Sequence, residues 1–154
     1  MNTPVLMLDA EDVAMAMSDQ SAQWLLDPTT GKLCMERSEA ALMFGSEYAE
    51  DWAPTDPERA LPIPFFDSSD GYHLMQTFAL EHAGSEASRR LQEALKKRKP
   101  FRQFKFALSD FPEDERRWFE FESEEKKRIA EEFYEDEGYA VRWIESPGDP
   151  TGLL

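Results

Sequence analysis

Phe101, Phe104, Leu108 and Phe111 recur at intervals of 3, 4 and 3 residues, and prolines at positions 100 and 112 bracket the series. That spacing places four large apolar side chains on one face of a helix. Pro100 suits a first helical turn, where a missing N–H costs nothing. Asp110-Phe111-Pro112-Glu113 then offers an N-cap, a first-turn proline and a capping-box glutamate for a second helix reaching about Glu137. Trp118, Phe121, Ile129 and Phe133 mark its expected buried side, and every residue between Phe121 and Ile129 is polar, which predicts an exposed middle. The pairs Glu113–Arg117, Glu122–Lys126 and Glu124–Arg128 have the favourable i, i+4 order, but each is worth only about 0.2–0.5 kcal/mol. Aromatic packing must therefore hold these helices, and it requires other elements to pack against.

Those elements are legible upstream. Leu8 to Gln20 reads as a short helix with Asp9 as N-cap and Val13 and Met17 on one face. Trp24-Leu25-Leu26 and Leu33-Cys34-Met35 flank Asp27-Pro28-Thr29-Thr30-Gly31, which predicts a hairpin over residues 23–35. Ser38 to Trp52 reads as helix, with Gly45 against it and a strand over Ala40–Phe44 as the alternative. Leu61-Pro62-Ile63-Pro64 must be extended. A helix beginning at Ser69, with Ser68 or Ser69 as its cap, carries Tyr72, Met75, Phe78, Ala79 and His82 at helical spacing and closes at Gly84. Ser85 starts the next, with Ala87, Leu91, Ala94 and Leu95 as its stripe and Lys96, Lys97 and Arg98 expected in its last turn. Gly138 ends the long C-terminal helix, and the alternation from Tyr139 to Ile144 reads as a returning edge strand.

These elements predict an α+β fold: a small antiparallel sheet, made of the 23–35 hairpin and a C-terminal strand over 139–144, packed against several helices. A chain of 154 residues with 12% aromatic content fits one domain with a real core. The expected domain covers residues 1–145, with 146–154, rich in proline and glycine, as a flexible tail.

The hairpin LLDPTTGKL, the segment LPIPFFDSSDGYHLMQTF and the blocks RRLQEAL, FRQFKFAL and ERRWFEF together resemble the bacterial Uncharacterised Protein Family 0158. The residues that carry the resemblance are Asp27, Thr30, Gly31, Ile63, Pro64, Met75, Phe78, Phe101, Phe104, Trp118 and Phe121. It spans roughly residues 8–144 and departs from the family pattern in the acidic stretch 36–60 and the polar gap 122–128. It implies the same α+β succession of elements, and it brings no activity to carry over.

Catalytic chemistry finds little footing. His73 and His82 are the two histidines, and nine residues of helix turn them about 900° apart, onto opposite faces. Cys34 sits between Leu33 and Met35, an apolar setting that favours a buried thiol over a nucleophile. Glu131, Glu132, Glu135, Asp136 and Glu137 read as a solvated helix face and lack the EF-hand pattern. The seven glycines form no phosphate loop. No catalytic, cofactor-binding or metal-binding residue is assigned, and no cofactor is expected.

Charge is the remaining signal. The formal net charge is −15, yet residues 89–105 carry eight bases against Glu93 alone. Such acidity opposes direct nucleic-acid or membrane binding and permits a protein partner. Two readings of the basic run compete with partner binding: its lysines complement a helix C-terminus, or it pairs with the acidic helix after Asp110. The candidate partner-binding patch is Arg89, Arg90, Lys99, Arg102 and Lys105. The expectation is a non-enzymatic protein-interaction or regulatory module of a bacterial cytoplasm. The alternatives are inhibition by nucleic-acid mimicry, through the acidic surfaces 36–60 and 113–137, and an enzyme of unknown type. One cysteine, no visible secretory signal and no apolar run long enough to span a membrane support the cytoplasmic placement. Oligomeric state is not encoded legibly.

Overall fold

The computed structural model describes residues 3–19, 21–81 and 84–144. The tail expected over 146–154 lies outside the described residues. Among the described residues, seven α-helices and two small sheets make the fold α+β. The chain divides into two compact units, one made of residues 66–125, the other of the segments before 66 and after 125.

The second of these begins with strand β1 (Val5–Asp9), whose Leu6 and Leu8 are fully buried. Asp9 ends the strand and caps helix α1 (Ala10–Ser18), its carboxylate accepting from the Glu11 and Asp12 N–H groups at 2.9 and 3.1 Å. Strands β2 (Leu25–Leu26) and β3 (Leu33–Cys34) form the expected hairpin. Residues 37–52 are helical in pieces: α2 (Arg37–Phe44), a single 3₁₀ turn (Ser46–Tyr48) and α3 (Ala49–Trp52). The break falls at Gly45, where φ is 95°, so the strand alternative for Ala40–Phe44 is excluded. Strand β4 (Leu61–Pro62) joins the hairpin in the antiparallel order β3-β2-β4. Pro62, which has no N–H to give a ladder, sits on an edge strand.

The C-terminal strand exists as β5 (Ala140–Ile144), but its partner differs from the expected one. It pairs in parallel with β1, from Val5 opposite Ala140 to Asp9 opposite Ile144, in a separate two-stranded sheet. The continuous apolar run Val5-Leu6-Met7-Leu8 forms the strand, so Leu8, expected in the first helix, belongs to β1, and α1 starts at Ala10. Trp24, Met35, Ala40 and Ala49 are buried together, and Trp52 meets Trp24 edge-on at 5.6 Å and stacks on Phe44 at 4.7 Å.

The other unit is helical. Asp67 and Asp70 cap α4 (Ser68–Glu81) reciprocally, each carboxylate accepting from the other's N–H at 2.9 and 3.1 Å. The cap is therefore Asp67, one residue before the expected serines. Ser85 caps α5 (Glu86–Leu95) by accepting from the Ser88 N–H at 3.0 Å. Helix α6 (Pro100–Leu108) begins on proline, as the sequence requires. Helix α7 (Pro112–Asp136) belongs to both units, and Trp118 is its anchor in this one. Trp118 lies 5.0 Å from Phe104 and 5.4 Å from Phe78, both edge-on, within a core completed by Met75, Leu91, Leu95 and Leu108.

Beyond residue 125 the buried side of α7 is Ala130 and Tyr134, both at 0% exposure, while Ile129 and Phe133 are half-buried. Tyr134 is drawn inward because its hydroxyl donates to the Pro62 carbonyl at 3.0 Å, satisfying the one polar atom that would otherwise oppose burial. The middle of α7 is partly covered rather than uniformly exposed. Its ion pairs include Arg117 with Asp114 and Arg128 with Glu132, the latter at 2.9 Å.

Two glycines separate strain from close approach. Gly31 has φ 74°, and a Cβ built there would stand 2.0 Å from the Met7 carbonyl oxygen. Gly138 has φ 96° with nothing within 4 Å. Gly31→Ala should therefore cost about 3 kcal/mol or more, since backbone strain and a backbone clash add, while Gly138→Ala should cost about 1 kcal/mol. Urea unfolding of both variants checks the order; equal losses would contradict the close approach.

Candidate functional site

The five residues singled out by charge do not behave as one patch. Arg89 is exposed and pairs along its own helix with Glu86 at 3.8 Å and Glu93 at 3.4 Å. Arg90 reaches Asp110 at 2.7 Å and lies over the Phe111 ring at 5.4 Å, so its charge is spent inside the unit. Lys99, Arg102 and Lys105 are exposed and have no ion-pair partner among the described residues.

Three cations join them that helix-end reasoning had set aside. Helix α5 stops at Leu95, so Lys96, Lys97 and Arg98 lie beyond its last turn, exposed and likewise without an ion-pair partner among the described residues. The signal that finds them is the absence of acid: no Asp or Glu occurs from residue 94 to 109. Arg102 and Lys105, three residues apart on α6, share a face with Phe106, which is 72% exposed. Lys99 precedes Pro100 with φ 56° and ψ 60°, a left-handed conformation uncommon for a side-chain-bearing residue. The result is a basic ridge of six cations, Lys96 to Lys105, on a unit whose formal charge over 66–125 is only −3 (thirteen acids, ten bases), against −12 for the rest of the chain. Within a Debye length of about 8 Å, the ridge rather than the net charge sets the local field.

Elsewhere, several buried or hydrogen-bonded polar groups are committed to structure. Asp27 is 5% exposed. Burial raises its pKa, but hydrogen bonds outweigh that and hold it below the ordinary carboxylate value: Thr55 donates from N–H at 3.0 Å and Oγ1 at 2.8 Å, and Thr29 from N–H at 2.9 Å. These bonds tie the hairpin turn to the chain after α3. Burial, with the Asp27 charge behind it, pushes the Cys34 thiol up to about 11. Burial also raises the Tyr134 hydroxyl. His73 is exposed on α4, and His82 lies outside the described residues. Among the described residues no three His, Cys, Asp or Glu side chains converge as a metal site.

A cleft of about 400 Å³ in the unit outside 66–125 is lined by Trp24, Ile63, Pro64 and Phe65 with Asp19 and Glu39 at its polar side. Asp19 accepts from the Ser21 hydroxyl at 2.5 Å and the Trp24 indole at 3.0 Å, which hold its carboxyl below the ordinary value. Glu39 accepts from the Gln23 N–H at 3.0 Å. Ser21, which lines the same cleft, thus has its hydroxyl engaged by Asp19, and Glu39 is engaged by the backbone of Gln23.

With the geometry in place, comparison with known proteins adds descent. A model of an uncharacterised protein family, UPF0158, matches residues 3–146. The chain belongs to that family. It is 29% identical over 147 residues to UPF0158 protein PA5073 of Pseudomonas aeruginosa, an alignment covering 96% of this chain and 92% of the relative. No solved structure matches. No described helix is long and apolar enough to cross a membrane.

Two measurements check the structural roles. Asp27→Asn should cost about 2 kcal/mol at pH 7, because an amide turns donors toward donors. A carboxyl held low in the folded state stabilises fully above its unfolded pKa and loses that contribution as pH falls through the folded value. The gap between wild type and variant should thus be flat from pH 7 to about 5 and close below pH 4; a gap that widens in acid would contradict the assignment. The folded chain should also react with a disulfide reagent at pH 8 at least about 100-fold more slowly than the urea-unfolded chain, given a thiol near 11 and buried.

Proposed function

We propose that this chain is a non-enzymatic protein-interaction module of the bacterial cytoplasm, regulatory in character, that recruits an acidic polypeptide through the basic ridge Lys96–Lys105. One observation carries the reading: six exposed cations occupy a stretch free of acid and have no ion-pair partner among the described residues. A protein that needs only solubility has no reason to concentrate repelling charge on one turn and one helix face, since interspersed signs serve that end better. Electrostatic complementarity contributes most to the rate and selectivity of encounter, so the partner should arrive quickly and be sensitive to salt.

Nucleic-acid mimicry has less behind it. The acids of α7 alternate with Arg116, Arg117, Lys126, Lys127 and Arg128, and in the 36–60 stretch Glu50 pairs with Arg37 at 2.6 Å. An enzymatic role would need a pocket in which groups from several segments meet as acid, base or nucleophile, and neither cleft geometry nor pKa perturbation supports one.

Affinity capture from a bacterial lysate at about 0.15 M salt tests the proposal. Wild type should retain a reproducible set of proteins that Lys99→Glu/Arg102→Glu/Lys105→Glu loses and that Arg89→Glu, already paired along its helix, largely keeps. Indistinguishable sets for wild type and the triple variant would remove the reading's support.

A further inference from the structure

The basic ridge begins at the mouth of an apolar cleft. Helices α4 and α5 leave a depression of about 250 Å³ lined by Tyr72, Gln76, Leu80, Gln92, Leu95 and Lys96. Its shape is fixed at two points. The Tyr72 hydroxyl donates to the Leu95 carbonyl at 3.0 Å, and the buried Ser88 hydroxyl donates to the Ala79 carbonyl. Gln92 donates to the same Ser88 oxygen at 2.9 Å, which orients its side chain. Leu80 stands 58% exposed, a large aliphatic group left uncovered on a helix that buries Met75, Phe78 and Ala79 and half-buries Tyr72 and Leu74. Lys96 both lines the cleft and opens the run of six cations that have no ion-pair partner among the described residues.

On the reading of the ridge given above, we infer that this site takes an acidic peptide segment carrying one large apolar side chain. The apolar side chain enters the α4–α5 cleft over Leu80 and Leu95, and the carboxylates that follow it lie along Lys96 to Lys105. Charge complementarity selects the acidic character. The aliphatic lining selects the anchor, because a small pocket that excludes water around one apolar group is where binding energy concentrates. A preformed cleft adds to this by requiring little reordering on binding. The chemistry fits a peptide better than a single-stranded nucleic acid. Bases want exposed aromatic faces on which to stack; the Tyr72 ring is half-buried with its hydroxyl engaged, and Phe106 is the one strongly exposed ring on the ridge.

The test uses the full chain and fluorescein-labelled synthetic probes, read by anisotropy at two salt concentrations. The probes are a twelve-residue Asp/Glu-rich peptide with a single Leu, the same peptide with Ser for that Leu, a Lys-for-Glu reversal, and oligo(dT) of equal length. The protein variants are Lys97→Glu/Lys99→Glu on the ridge and Leu80→Ser in the cleft. Leu80 is exposed enough that its replacement should leave the fold intact, which thermal melts confirm. The expected result is binding of the Leu peptide, weakened about 10-fold or more by the ridge variant and by raised salt. Binding should also weaken about 10-fold when either the peptide's Leu or Leu80 becomes Ser, with no further loss when both do. If the ridge variant weakens binding but neither serine change does, the cleft inference is overturned while the acidic-partner reading stands. If the ridge variant binds like wild type, that reading falls and the inference with it. Tighter binding of oligo(dT) than of the Leu peptide at equal salt overturns the assignment of partner class.

Discussion

Phe104 meets Trp118 edge-on at 5.0 Å, Phe78 meets the same indole at 5.4 Å, and these contacts decide which way α6 faces. Aromatic pairs of this kind contribute about 0.5–1.5 kcal/mol beyond the area they bury. Exposed ion pairs contribute about 0–1 kcal/mol. Packing therefore sets the orientation of α6 and charge follows from it. With Phe104, Ala107 and Leu108 buried, Arg102, Lys105 and Phe106 are left outside. Pro100 fixes where the helix starts, and the residues before it, Lys96 to Lys99, fall in the turn between two helices.

The rest of the chain spends its polar groups on its own architecture. Asp27 holds the hairpin turn to the segment after α3 with hydrogen bonds from Thr29 and Thr55. Gly31 lets that turn approach the Met7 carbonyl of β1. Tyr134 carries its hydroxyl to the Pro62 carbonyl. Such groups are fully satisfied, and satisfied groups specify a unique packing rather than supply reactivity. Cys34 follows the same logic, since a buried thiol raised to about 11 presents little thiolate near neutrality.

How much of this was legible in the sequence depends on the range of the interaction. Features written within a turn or two were readable: the Asp9 and Ser85 caps, Pro100 at the head of α6, the break at Gly45, the Asp27–Gly31 reversal and the aromatic stripe through Phe104 and Trp118. Features that depend on distant partners were not. Strand β1 becomes a strand by pairing with β5 from the far end of the chain, and a parallel pair leaves no hairpin signature between its members. The buried face of α7 past residue 125 shifted from Ile129 and Phe133 to Ala130 and Tyr134, because Tyr134 has an acceptor on Pro62. In the candidate patch, Arg90 was removed by Asp110, twenty residues away, while Lys96 to Arg98 were restored because α5 ends one residue before them.

Lys96, Lys97, Arg98, Lys99, Arg102 and Lys105 stand exposed, without an ion-pair partner among the described residues. Residue-resolved chemical labelling tests it most directly: acetylation for the lysines and phenylglyoxal for the arginines, with rates in the folded chain compared with those in urea. These six residues should react at nearly the same rate in both states, while Arg90, held by Asp110 and Phe111, should be clearly protected by folding. Protection of the six comparable to that of Arg90 would show their charges covered or paired in the native protein, and the basic ridge would not exist.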